Sequence, residues 1–316
     1  MGAMRIVFMG APVFGVPALE WLIVSEHQLV AVYTQPDKPA GRGQTLSSPP
    51  VKRVALEHGL EVRQPKSFKE PGAVELLAQL RPDVIVVAAF GKILPEEVLS
   101  IPPFGCINLH PSLLPRHRGP SPIPAAILAG DDWTGVSIML LDKGIDSGPI
   151  LAQRRVAIAP DDTAGSLTGK LAQIAAQLLE ETLPLWLSRA LTPQPQLGDA
   201  TYTKLLSKEE GEIDWHLPAV DIERRVRAFH PWPGCYTRWQ GKVLKILEAS
   251  SLSDTSFGGE RGEPGRVVPL AGGGVGVQTG GGVLRLRRVQ LEGKRAMAIE
   301  VFLRGQRTFI GALLPG

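Results

Sequence analysis

Apolar residues in the first half of the chain gather in short unbroken runs, over 5–9, 29–34 and 83–89, with no polar alternation. Such runs suit strands buried on both faces, as in a parallel sheet. Helical spacing falls between them, over 14–24, 51–58 and 72–80. Further strands are expected over 106–110, 136–142 and 150–156, and a long helix over 164–187. Alternating strands and helices predict an α/β domain with a doubly wound, mostly parallel, Rossmann-like sheet.

The pattern then changes. Residues 191–207 mix Pro, Gln and Gly without periodicity and read as a linker. One helix is expected over 220–229. Short β-like runs follow over 236–239, 243–247, 275–278 and 283–289, separated by glycine clusters, which predicts a small β-barrel. The polar, Gly-rich stretch 250–265 reads as a long loop, and Phe229, Trp232 and Trp239 as core packing. The expected division is a catalytic domain over 4–190, the linker, and a C-terminal domain over 208–316.

Charge sharpens this division. The 316 residues carry a net charge of only +3, so the whole chain is not a polycation. Residues 1–200 hold 17 Lys and Arg against 19 Asp and Glu, a net of −2, whereas residues 201–316 hold 17 against 12, a net of +5. A basic C-terminal third suits a phosphate backbone. Two isolated cysteines make neither a disulfide framework nor a zinc site and fit a reducing, cytoplasmic setting. No apolar run reaches the roughly 18 residues of a membrane span. Nothing in the pattern predicts a dimer, so a monomer is expected.

Candidate chemistry concentrates between Gly105 and Gly148. Asn108 and His110 lie two apart on an expected strand, so they share a face. They sit at its C-terminal end, where open α/β sheets bind ligands. Asp146 lies in a Gly-flanked turn after a later strand and can reach the same cleft. Acyl transfer to an amine needs a proton acceptor, a donor for the developing oxyanion, and a group that orients the proton carrier. A histidine, an asparagine amide and an aspartate supply these. No metal is expected, because no Cys, His and carboxylate cluster has ligand spacing. Gly10 and Gly15, with Pro12 between them, lack the spacing of a dinucleotide fingerprint and read as a tight strand-to-helix turn.

The run Asn108-Leu109-His110-Pro111-Ser112-Leu113-Leu114-Pro115, with Arg116, Arg118 and Gly119 after it, and Leu141-Asp142 followed by Gly144-Ile145-Asp146-Ser147-Gly148, resembles the 10-formyltetrahydrofolate-dependent formyltransferase family. The resemblance implies that Asn108, His110 and Asp146 are catalytic. It implies that Ser112, Leu113, Leu114 and Pro115, with Phe90, Ile93, Leu94 and Asp142, frame the folate, and that 10-formyltetrahydrofolate is the formyl donor.

Residues 35–43 and 48–52 resemble the insertion loop of the family branch that acts on methionyl initiator tRNA. This implies tRNA contacts at Lys38, Arg42, Lys52 and Arg53. Residues 205–215 and 227–234 are similar to the start of that branch's C-terminal domain, which implies an OB-like barrel that contacts tRNA. Ala11, His117, Pro120, Ser121 and Pro124 depart from the usual pattern and leave the trio intact.

Overall fold

A computed structural model describes residues 2–40, 45–253, 262–271 and 273–316. The chain folds as two units. The first comprises Met1–Ile123, Asp132–Ile158 and Leu167–Lys204; the second comprises Pro124–Asp131, Ala159–Ser166 and Leu205–Gly316.

In the first unit the apolar runs become strands β1 (Arg5–Gly10), β2 (Gln28–Tyr33), β3 (Lys38–Ala40), β4 (Thr45–Ser47), β5 (Val62–Arg63), β6 (Val84–Ala88), β7 (Cys106–His110), β8 (Trp133–Leu140) and β9 (Ile150–Ala157). Seven of them form one sheet in the order β5-β2-β1-β6-β7-β8-β9. Pairing is parallel from β5 to β7 and antiparallel across β7-β8 and β8-β9. The sequence patterns match these environments. All five residues of β6 and of β7 are buried, as expected of strands covered on both faces. Edge strand β9 alternates buried or half-buried with exposed positions along most of its length.

Helices Val16–Val24, Pro50–Glu57 and Ala73–Ala78 fall where helical spacing predicts them, and Ala164–Leu187 matches its expected bounds. The first two begin with proline at an N-terminal position, where its missing N–H costs no helical hydrogen bond. An apolar cluster containing Val7, Met9, Ile85 and Val87 also takes in Tyr33, Phe68 and Phe90. The Phe68 ring lies 6.0 Å from Tyr33 and 6.3 Å from Phe90.

The second unit carries an antiparallel sheet of β10 (Cys235–Trp239), β11 (Lys242–Leu252), β12 (Val267–Pro269), β13 (Val275–Gln278), β14 (Val283–Leu291) and β15 (Met297–Ala298). Its order is β10-β11-β14-β13-β12, with β15 on β14. Register shifts on both sides of Glu248 bend the long strand β11. The sheet curls without closing, a half-barrel form of the expected barrel. Helix Ala219–Ala228 packs on β11 and β14 through its buried Ile222 and Val226.

Trp239, Phe302 and Phe309 pack edge to face with centroids 5.2–5.7 Å apart. Phe229 and Trp239 are core residues as expected, but Trp232 is 57% exposed. It lies outside any strand, between Pro231 and Pro233, where no pleat turns it inward. The expected loop over 250–265 begins later than its composition suggests, because β11 runs through Leu252. Residues 254–261 of that stretch lie outside the described residues.

Candidate active site

Strand β7 positions two candidate groups. Its residues Asn108 and His110 are both buried and lie at the C-terminal end of the parallel part of the sheet. Pro111 follows at once and ends the strand. Antiparallel pairing of β7 with β8, and of β8 with β9, brings the loop between β8 and β9 to the same end. Asp146 sits in that loop with φ +47°. A left-handed backbone costs a non-glycine residue roughly 1–2 kcal/mol and needs support from its surroundings.

The three side chains meet. The Asp146 carboxylate lies 3.6 Å (Oδ2) from Nδ1 of His110, and its Oδ1 accepts a 3.4 Å hydrogen bond from Asn108 Nδ2. The Gly119 amide donates to Asp146 Oδ2 at 2.8 Å. Gly119 has φ +103°, and a side chain there would start 2.8 Å from the Thr203 carbonyl, so glycine fits twice over.

His110 Nε2 lies 3.0 Å from the carbonyl oxygen of His117. A carbonyl only accepts, so Nε2 carries a proton and the neutral ring leaves its lone pair on Nδ1, facing Asp146. Proton uptake is thereby confined to Nδ1 and the carboxylate beside it. Burial holds the His110 imidazole below its ordinary range, against the opposing pull of the Asp146 charge. The ring is therefore neutral at neutral pH, the form a proton acceptor requires. Asn108 spends one N–H on Asp146 and keeps a second for an oxyanion.

The loop after β7 is fixed from below. Ser137 Oγ on β8 donates to the Ser112 carbonyl and accepts from the Leu114 amide. Gln153 on β9 donates to both Ser137 Oγ and the Leu114 carbonyl. Ser112 and Leu114 are buried, whereas Leu113 and Pro115 are half-buried. The other residues expected around a folate divide. Phe90 and Leu94 belong to the apolar cluster, whereas Ile93 is 92% exposed. Asp142 is exposed, and its carboxylate accepts from Gly144 N and Ser147 Oγ within the Asp146 loop.

Of the residues expected to meet tRNA, Lys38 lies on β3, which pairs antiparallel with β4, whereas Lys52 and Arg53 lie on the helix Pro50–Glu57. Lys52 Nζ reaches both oxygens of Asp37 at 2.8–2.9 Å, and Ser48 and Gln64 donate to the same carboxylate. Lys38 Nζ donates to Gln35 Oε1, and Arg53 is exposed. Arg42 lies outside the described residues.

Sequence reasoning did not single out Ser137, Gln153, Gln196, Thr201 or Thr203. Each acts through isolated side-chain bonds, which leave no periodic signal. Among the described residues, no group of three or more His, Cys, Asp or Glu could hold a metal ion, and no helix is long and apolar enough to cross a membrane.

The chain matches the family model "Formyl transferase" over residues 4–183 and "Formyl transferase, C-terminal domain" over residues 205–307. It belongs to the formyltransferase family. Within that family it is 50% identical, over 99% of its length and the whole of the relative, to a methionyl-tRNA formyltransferase of Roseiflexus castenholzii. It is 50% identical to the protein of that name from Chloroflexus aurantiacus, covering 96% of this chain and 97% of the relative.

Solved structures share the fold. Methionyl-tRNA formyltransferase from Clostridium thermocellum superposes with a TM-score of 0.55 at 19% identity, covering 78% of this chain and 93% of that one. HypX from Aquifex aeolicus in complex with tetrahydrofolic acid gives 0.63 at 18% identity over 97% of this chain. This chain spans 48% of that protein.

Proposed function

We propose that the protein transfers the formyl group of 10-formyltetrahydrofolate to the α-amino group of methionyl initiator tRNA, for the start of protein synthesis. The meeting of Asn108, His110 and Asp146 at one strand end carries the reading. Identity near 50% over almost the whole of relatives named for that acceptor supports the choice of substrate. The loop 112–115, tied down by Ser137 and Gln153, offers a rigid, partly apolar wall suited to a pterin.

When bound, the folate supplies a formyl carbonyl whose bond to N10 breaks in the exchange. The free N–H of Asn108 stabilises the negative charge that gathers on the carbonyl oxygen. Nδ1 of His110 and the Asp146 carboxylate take the proton that the attacking amine must lose. The proton is then available to the departing nitrogen. Asp146 also stabilises the imidazolium formed on the way. Lys38, Arg42 and Arg53 supply positive charge toward phosphates, while Lys52, beside Arg53 on its helix, ties that helix to Asp37. The protein acts as a monomer in the cytoplasm.

The test mixes the protein with 10-formyltetrahydrofolate and charged initiator tRNA and looks for formyl-methionine by mass after deacylation. Product that is absent with elongator tRNA and with Asp146→Ala is expected. Formylation of a small amino sugar but not of the tRNA would overturn the choice of acceptor.

A further inference from the structure

Residues 194–203 run as a strap past the catalytic loops. Gln194 pairs with Ile150 through both backbone groups, at 2.7 and 2.8 Å. Further along the strap, Arg118 exchanges backbone bonds with Thr201 and Thr203, each at 2.8 Å. The Thr201 hydroxyl accepts from His117 N at 2.8 Å, and Thr203 Oγ1 bonds to Arg118 O and Ser121 N. The strap thus fixes the loop whose His117 carbonyl holds His110 and whose Gly119 amide holds Asp146.

Gln196 sits between these ties. Its Oε1 accepts from Nε and Nη2 of Arg118, at 3.1 and 2.7 Å. A guanidinium only donates, so the amide cannot be turned round. Its Nε2 must then face the other way, and there it donates to the backbone carbonyls of Asp146 and Gly148, both at 2.8 Å. These carbonyls belong to the turn in which Asp146 adopts its left-handed backbone. A residue held in that region keeps its place only when neighbours over-determine it.

We infer that Gln196 is a positioning residue, whose amide clamps the Asp146 turn and so sets the carboxylate against His110 and Asn108. The inference rests on the formyl-transfer reading of the site. Gln196 touches no reacting group. It acts through Asp146, so its loss alters turnover more than the binding of either substrate.

The discriminating change is Gln196→Glu. Glutamate keeps an oxygen for Arg118 but puts a second oxygen against the two carbonyls, where a donor is needed. Formylation is measured for wild type, Gln196→Ala and Gln196→Glu at saturating folate and tRNA, with each KM, thermal unfolding, and amide hydrogen exchange across residues 144–148. Both variants are expected to fold, to lose about tenfold or more in kcat, and to exchange faster across the turn. Each KM is expected to stay within about twofold.

Wild-type kcat in Gln196→Glu would overturn the inference, because the tie to Arg118 survives that change and the donor does not. A raised KM at unchanged kcat would overturn it too. Wild-type protein without turnover would overturn the proposed function instead. Exchange then decides the clamp by itself, since an unchanged rate in both variants excludes it.

Discussion

Two aspartates of the first unit sit among partners of different charge. Asp37 and Asp146 each collect several donors. Asp37 accepts from Ser48, Gln64 and the Lys52 ammonium, and the hydrogen bond from Lys52 is the largest influence holding its carboxyl below the ordinary range. Its charge is answered by a permanent cation, so it braces the loop base. Asp146 accepts from a backbone amide and an asparagine amide, both neutral, and faces a histidine that burial keeps uncharged. On the proposed mechanism its charge is left for an imidazole that becomes cationic only during turnover. Asp37 accepts four hydrogen bonds and Asp146 two, but the sharper difference is the charge of the partners.

Asparagine substitution puts the largest strain on this contrast. Asp146→Asn keeps an acceptor for the Gly119 amide but removes the charge, and kcat is expected to fall by about 10³- to 10⁴-fold. Asp37→Asn, read in the same formylation assay, should leave kcat near wild type. Equal losses in the two variants would erase the distinction. Asn108→Ala removes the oxyanion donor and should cost about 10²- to 10³-fold in kcat with a normal KM for tRNA. A loss confined to KM would remove Asn108 from the chemistry.

Arg42→Ala should raise KM for full-length tRNA by about tenfold and flatten its dependence on salt. Unchanged kinetics at several ionic strengths would deny the loop its role.

The smallest effect is in pH. Burial disfavours the charged imidazole, so the His110 proton leaves at lower pH than from an exposed ring. The acid limb of kcat is therefore expected below about 6.5, with a flat profile above it. The same shift makes the folded state lose stability as pH falls below the unfolded imidazole value, since only the unfolded chain then gains the proton. An acid limb at or above about 6.5 would count against a neutral, buried base.

Most of the scaffold was legible because its signals repeat. The all-apolar β6 and the periodic Ala164–Leu187 helix carry the clearest signals; the helix matches its expected bounds, and the strand falls within one residue of its own at each end. Asn108, His110 and Asp146 were legible as residue types at a strand end and in a glycine-flanked turn. The paired strands β3 and β4 and strand β5 escape the pattern because two or three residues carry no period. The strap over 194–203 looked like plain linker for a different reason: its Pro, Gln and Thr residues are aperiodic, and Gln196 acts through its amide alone. Trp232 shows the reverse error, since a large aromatic beside two others suggested packing and instead faces solvent.

Topology also dictates when the site can exist during folding. Strands β8 and β9 are neighbours in sequence and pair antiparallel, so the hairpin that carries Asp146 closes over a short span of chain. Asn108 and His110 ride on β7, whose pairings with β6 and with β8 each close over a longer stretch than the β8-β9 turn, and β6 itself lies beside β1, more than seventy residues earlier in the chain. Local pairings form early, and distant parallel ones wait on the entropy of closing long loops. In a refolding chain the Asp146 turn would thus form with its own hairpin before the sheet that seats Asn108 and His110, and any activity that needs all three would return last, with the completed sheet.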